Sequence, residues 1–167
     1  ATESQESAGE PAGTEIGKRN HIRELDTIHR GTTGGGGMTR IGDGNLLMAQ
    51  AHIAHDCQLG SEIIMANAAT LAGHVEIADK ASVGAHSGVH QICRVGYEAF
   101  GGGYSVVVKD AMQYAIIQCN HSKCYGLNAV DIKRRGFYRD TTGNLTTRVP
   151  VMLSPSSHPH QTVTSTS

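Results

Sequence analysis

Tryptophan is absent from these 167 residues and aromatic side chains make up only 4% of them, so any core must be built from Ile, Leu, Val, Met and Ala. No apolar run approaches the roughly 20 residues that a membrane-spanning helix needs. No signal peptide stands at the start, where "ATESQESAGEP" is polar, and the first residue is not Met, which fits a processed or partial product. An excess of either charge is also missing. With 14 Lys and Arg against 15 Asp and Glu, no global field attracts nucleic acid or an anionic membrane, and any basic site is local. The four cysteines, Cys57, Cys93, Cys119 and Cys124, lack the CxxC spacing of a zinc ribbon or redox motif, so the expected compartment is the reducing cytoplasm. The length suits one domain with a core of its own.

What is present is glycine, 21 residues of it, and a period. Steps of six from Ile41 land on Leu47, Ile53, Leu59, Met65, Leu71, Ile77, Val83, Val89, Val95 and Gly101, and ten of these eleven places are aliphatic. The next residue is Gly or Ala in nine cases, and the fifth place is Ala, Val, Ser or Cys in nine. A helix repeats its apolar residues every 3.6 positions, whereas a period of six with two inward places means a short strand followed by a fixed corner. The expected fold is all-β: a parallel β-helix of hexapeptide repeats in which three hexads close a triangular coil of about eighteen residues. Place one fills the prism, place five packs beside it, and Gly or Ala at place two is expected to let the backbone turn the corner.

Ile16, Ile22 and Ile28 keep the step, but Ile28 to Ile41 is thirteen residues, and "GTTGGGGMTR" fills the gap as a loop that leaves the prism. Four segments follow: a polar stretch 1–10, the β-helix 11–108 with its loop at 31–40, an irregular but ordered extension 109–139, and a tail 140–167. The tail is rich in Ser, Thr and Pro and reads as disordered. A solenoid needs both ends capped, and neither end supplies an obvious cap.

Hexads opening at Ile53, Leu71 and Val89 read "IAHDCQ", "LAGHVE" and "VHQICR" and stack on one face. His55, His74 and His90 therefore rise along it in successive coils, roughly 4.8 Å apart. His52 stands just before the corner, and Asp56 follows His55, both His55 and Asp56 on the outside of the prism. One outward histidine is ordinary surface; several on one face suggest a metal site or a proton-transfer site. The metal reading resembles the γ-class carbonic anhydrases, which share the prism and hold zinc with three histidines across a subunit boundary. Their Arg-Pro signature is missing here and their histidine spacing is not matched. The carboxylate directly after His55 favours proton transfer, since it can hold one imidazole nitrogen as donor and leave the other as a base. A non-catalytic β-helix, such as a scaffold or an ice-binding protein, is the remaining alternative, although an ice-binding face usually shows a ladder of threonines.

Other signals are weaker. Arg134 and Arg135 in "DIKRRGF" suit phosphate through planar forks, or simply a solvated surface. "GTTGGGG" lacks the Lys-Ser/Thr end of a phosphate loop. Cys57 and Cys93 fall on fifth places and read as small core residues.

The strings "GEPAGTEIGKRNHIRE", "TIHRGT", "NLLMAQAHIAHDCQLG", "ATLAGHVEI" and "DIKRRGF" resemble, in order and with similar gaps, the UDP-N-acetylglucosamine O-acyltransferases of lipid A biosynthesis. The resemblance runs from Gly9 to about Tyr138. It implies a left-handed prism, an exception to the usual right-handed crossover, assembled as a homotrimer with active sites between subunits. It also implies the reaction: an (R)-3-hydroxyacyl group passes from acyl carrier protein to the 3-hydroxyl of UDP-N-acetylglucosamine, without metal or other cofactor. By resemblance His55 is the general base, Asp56 the carboxylate that orients it, and the Gly73 N–H the oxyanion donor. His52, His74 and His90 match substrate-contacting positions, Gln91 an acyl-pocket position, and Gly103 in "FGGGYS" the position that limits acyl length. His121, Asn128, Arg134 and Arg135 match the region that handles the nucleotide, which makes 109–139 a nucleotide-contact segment. The related N-acyltransferases of the pathway are the nearest rival, and "AHIAHDC" with "KRRGF" favours the O-acyltransferases.

The family carries further coils before "GEP", a lysine where Glu6 stands, and a helical domain after "KRRGF". The chain is therefore expected to be shortened at both ends, with its activity weakened.

Overall fold

The structure, a computed structural model, describes residues 11–118 and 123–134. The polar stretch 1–10 and the tail 140–167 lie outside the described residues. The chain winds as a left-handed parallel β-helix of three sheets. The first sheet stacks Gly13–Ile16, Met38–Ile41, Gln58–Leu59, Glu76–Ile77 and Arg94–Val95. The second carries His21–Ile22, Leu46–Leu47, Ile64–Met65, Ser82–Val83, Phe100–Gly101 and Ala115–Gln118, and the third Thr27–Ile28, His52–Ile53, Thr70–Leu71, Gly88–Val89 and Val106–Val107. Pairings such as Ile53 with Leu71 and Val89 with Val107 reproduce the eighteen-residue coil.

The core is the place-one column, with Leu47, Ile53, Met65 and Leu71 entirely buried, and the place-five column beside it, where Cys57, Ala69, Val75 and Ala81 are equally dry. Burying each larger aliphatic side chain is worth about 1.5–3 kcal/mol. Ile16 and Ile22, in the first described coil, stay 44% and 43% exposed because no described coil lies beneath them.

The corner is turned differently from the expectation. Place two does not adopt the left-handed backbone; place four does, with Gln50, Asp56, Glu62, Ala68, His74, Lys80, His86, Ile92, Glu98 and Tyr104 all at φ between 50° and 67°. Each non-glycine residue there carries local strain that the stacked coils must hold. Small residues at place two serve close stacking instead. A Cβ on Gly84 would come within 2.5 Å of the Gly102 carbonyl carbon in the coil above.

Both breaks in the period fall at one corner, between the third sheet and the first. Ile16 pairs with Ile41, a coil of twenty-five residues, so seven extra residues leave the prism there as the glycine-rich loop. Beyond Val107, where the sequence period fades, Ala111 bridges Val95 and Ile117 pairs with Gly101, coils of sixteen residues. Two residues are missing at that corner, and the step of six then resumes through Tyr114, again at place four with φ 58°.

The extension is more regular than its fading period indicated. Lys123–Leu127 runs antiparallel to Ala115–Gln118 and ends the parallel stacking of the second sheet. A short helix, Ala129–Arg134, follows and buries Ile132. Among the described residues no helix is long and apolar enough to cross a membrane.

Candidate active site

The corner that follows the third sheet carries His55 and Asp56 at places three and four, with Gly73 and His74 stacked on them one coil later. The His55 ring packs against Gly73. A Cβ on Gly73 would sit 2.7 Å from Cε1 and 2.8 Å from Nε2 of that imidazole, and only glycine leaves the ring its place. The His74 ring meets the His55 ring edge to face, with centroids 5.1 Å apart.

Asp56, expected on the outside, is buried: its side chain is wholly inaccessible, while that of His55 is 22% exposed. The cause is the glycine-rich loop, which folds back over the corner. Thr32 donates its amide to Asp56 Oδ1 at 2.8 Å and its hydroxyl to Oδ2 at 2.6 Å. From the other side His55 Nδ1 lies 2.8 Å from Oδ2, and the Asp56 amide donates to the buried Thr39 hydroxyl at 2.8 Å. His74 Nε2 stands 3.9 Å from the same oxygen. Burial alone would raise the Asp56 carboxyl above its ordinary value; the Thr32 hydroxyl, the Thr32 amide, His55 and His74 together outweigh it and hold the group lower. An ionised carboxylate only accepts hydrogen bonds, so the 2.8 Å contact requires a proton on His55 Nδ1 and leaves the Nε2 lone pair as a base.

The Gly73 amide completes the arrangement. At the corner after the first sheet, three place-three amides find side-chain acceptors one coil on: Lys18 N–H donates to Asp43, Asp43 N–H to Ser61 and Ser61 N–H to Asp79, at 2.8, 3.0 and 2.8 Å. At Gly73 the residue in the equivalent place one coil on is Gln91, and no acceptor takes the amide among the described residues. An N–H donor without an acceptor among the described residues thus belongs to the residue that packs against the His55 ring.

The other expected residues divide by place. His90 and Gln91 share this corner one coil further on, both exposed. His52 faces the third sheet, where its Nδ1 shares a 2.7 Å hydrogen bond with the Thr27 hydroxyl and its ring meets His29 edge-on at 4.9 Å. Gly103 lies at the corner after the second sheet, over the Ala85 carbonyl oxygen. Asn128 is buried at the corner after the first sheet, where its amide donates to Tyr114 and its side chain to the Glu98 carbonyl, and Arg134 is exposed on the terminal helix. Within one chain Gly103 and Asn128 occupy other corners than His55. His121 and Arg135 lie outside the described residues.

Sequence reasoning missed Thr32, Gly35 and Thr39. The thirteen-residue step marked the loop, but nothing in the spacing said that it folds back over the His55 corner.

The donor atoms of His55, Asp56 and His74 lie within 4.8 Å of one another, close enough for three ligands of one ion. Asp56 Oδ2, however, already accepts Thr32 and His55 at 2.6 and 2.8 Å. Hydrogen bonding accounts for the cluster, and a metal would first have to displace one of these donors.

No protein-family model matches the chain. Among solved structures it is similar to UDP-N-acetylglucosamine O-acyltransferase from Moraxella catarrhalis, at 42% identity and a TM-score of 0.87 over 90% of this chain and 58% of that one. It is similar to UDP-N-acetylglucosamine acyltransferase from Campylobacter jejuni at 42% identity and a TM-score of 0.79, over 86% of this chain and 57% of that one. With the acyltransferase from Bacteroides fragilis the figures are 32% and 0.86, over 98% of this chain and 61% of the other. The chain thus spans 57–61% of the length of these proteins.

Proposed function

Because the chain belongs to the UDP-N-acetylglucosamine acyltransferase family, we propose that it transfers an (R)-3-hydroxyacyl group from acyl carrier protein to the 3-hydroxyl of UDP-N-acetylglucosamine, the opening step of lipid A biosynthesis. The observation that carries this reading is the Asp56–His55 pair set against the open Gly73 amide. His55 Nε2 takes the proton of the sugar hydroxyl as its oxygen attacks the thioester carbonyl. The carbonyl π electrons move to oxygen, and the Gly73 N–H stabilises that oxyanion. Asp56 holds the imidazolium at Nδ1. Collapse of the intermediate expels the carrier-protein thiolate, which receives the proton from Nε2, so His55 ends neutral. A base positioned in this way is worth roughly 10²- to 10⁴-fold in rate.

His74, His90 and Gln91 share this corner and His52 precedes it on the third sheet, and all four are assigned to substrate contact by family resemblance. Gly103 and Asn128 stand at other corners, and Arg134 on the terminal helix, so a site that unites them with His55 needs neighbouring copies, as in the homotrimer that family resemblance implies. His121 and Arg135 are assigned to the nucleotide by family resemblance. A cytoplasmic setting suits both substrates. The direct test supplies purified protein with 3-hydroxyacyl carrier protein and the sugar nucleotide: product that forms with wild type and is lost with His55→Ala is expected, and equal product from both would sink the reading. Light scattering during gel filtration is expected to give three times the chain mass.

The related N-acyltransfer is separated by the same assay with an amino-sugar acceptor, where no product is expected. A zinc-dependent reaction would have to use the same His55, Asp56 and His74 with a donor displaced from Asp56; stoichiometric zinc in the purified protein would support it over proton transfer.

A further inference from the structure

Thr32 stands where a short turn of helix begins, at Thr33–Gly35, and a threonine there ordinarily caps the turn with its own hydroxyl. Here the hydroxyl makes no capping bond and goes to Asp56 Oδ2 instead. The loop is built to bring it there. Gly35 and Gly37 donate their amides to the Thr32 carbonyl at 3.0 and 2.7 Å, and Gly13 and Gly31 tie the loop to the first coil at 2.8 and 2.9 Å. Gly36 and Gly37 take φ of 89° and 81°, which lets so short a loop double back. Gly35 passes directly over the Asp56 carboxylate, and a Cβ there would run into it.

We propose that Thr32 is a positioning residue for the His55–Asp56 pair, and that the glycine-rich loop exists at this corner to deliver its two donors to the carboxylate; the inference rests on the proton-transfer reading given above. The carboxylate has two oxygens. With Oδ1 fixed by the Thr32 amide and Oδ2 by its hydroxyl, the Oδ2 lone pair facing His55 is the one left to receive Nδ1–H. Without the hydroxyl only the Thr32 amide on Oδ1 remains, so Oδ2 can swing toward His74, 3.9 Å away, and the hold on the His55 tautomer weakens. The titratable groups facing Asp56 are His55 from its own corner and His74 from the next coil, while residues 31–37 bring no charge. Thr32 therefore acts by geometry and by hydrogen bonding to the ionised form.

The test uses the whole chain as wild type, Thr32→Val and Thr32→Ser, with Thr33→Val on the exposed neighbour as control. Nitrogen-resolved NMR of the imidazoles, without substrates, is expected to show the His55 proton on Nδ1 in wild type, Thr32→Ser and Thr33→Val, and a tautomer mixture in Thr32→Val. In the transfer assay Thr32→Val lowers kcat roughly 10-fold with KM unchanged, the scale of one hydrogen bond to a charged group, and Thr32→Ser restores it. Should Thr32→Val fail to fold, Thr32→Ala carries the same expectation. A wild-type His55 signal in the folded variant lacking the hydroxyl, or a serine variant as impaired as the valine one, overturns the proposal. Failure of the wild type to turn over the proposed substrates would count against the reaction, while the NMR arm would still decide the role of Thr32.

Discussion

Two corners of this prism carry polar ladders, and only one of them has the makings of an active site. After the first sheet, Asn20 and Asn45 stack inside the corner: Asn20 accepts the Asn45 amide at 2.8 Å, and Asn45 in turn accepts from Ile63 at 2.7 Å and donates to the Gly60 carbonyl at 3.0 Å. Outside them Asp43, Ser61 and Asp79 take the place-three amides of the coils below. Each donor named there finds an acceptor in a neighbouring coil, on or back, and the bonds tie the coils together. After the third sheet the ladder is interrupted: Gly73 offers an amide with no acceptor among the described residues, and His55 offers a lone pair. Polar residues at a corner are therefore not in themselves a sign of chemistry. A donor and a base left open side by side are.

That contrast can be broken most severely at His55. His55→Ala is expected to lower kcat roughly 10²- to 10⁴-fold while leaving the thermal midpoint near wild type, as measured by initial rates and a melting curve. Gly73→Ala comes next. Its methyl would stand 2.7 Å from the His55 ring, and displacing the base by about an ångström costs roughly 10²-fold in rate. On the other corner the signature reverses. Asn45→Ala strands the buried Ile63 amide and the half-buried Gly60 carbonyl and is expected to cost about 1–3 kcal/mol in denaturant unfolding, with kcat per folded molecule unchanged. An Asn45 variant that stays stable but loses activity would erase the distinction between the two corners.

The smallest effect is on acid stability. The Asp56 carboxyl lies lower in the folded protein than its unfolded value near 3.8, so its contribution is fully present above that value and is lost as the pH falls through the folded one. Acid unfolding curves of Asp56→Asn are expected to be flatter than those of wild type below about pH 4. Parallel curves would mean that the carboxylate is not held as described.

How much of this was legible depended on whether a residue obeys the repeat. Place-one and place-five burial at Ile53, Leu71 and Cys57 follows from counting in sixes, because each coil dictates the next. The stacking of His55 on Gly73 follows from adding eighteen. The left-handed turn at place four was misassigned to place two, because small residues serve both corner turning and close stacking, and composition alone does not separate them. Thr32 on Asp56 was beyond reach because the loop leaves the repeat. Its length was readable and its direction was not. The continuation through Ala111 and Ile117 was hidden by two missing residues, although the pattern on either side is intact.

Seven residues gained and two lost at the same corner have a consequence for how such a protein can change. The strands on either side keep their partners in both cases, so chain length at that edge is uncoupled from the packing of the prism. Segments can be exchanged there as one exchanges the bit of a drill, with the shank left untouched. This corner is accordingly the place at which to graft foreign loops, and the place where descendants of one scaffold would diverge in chemistry first.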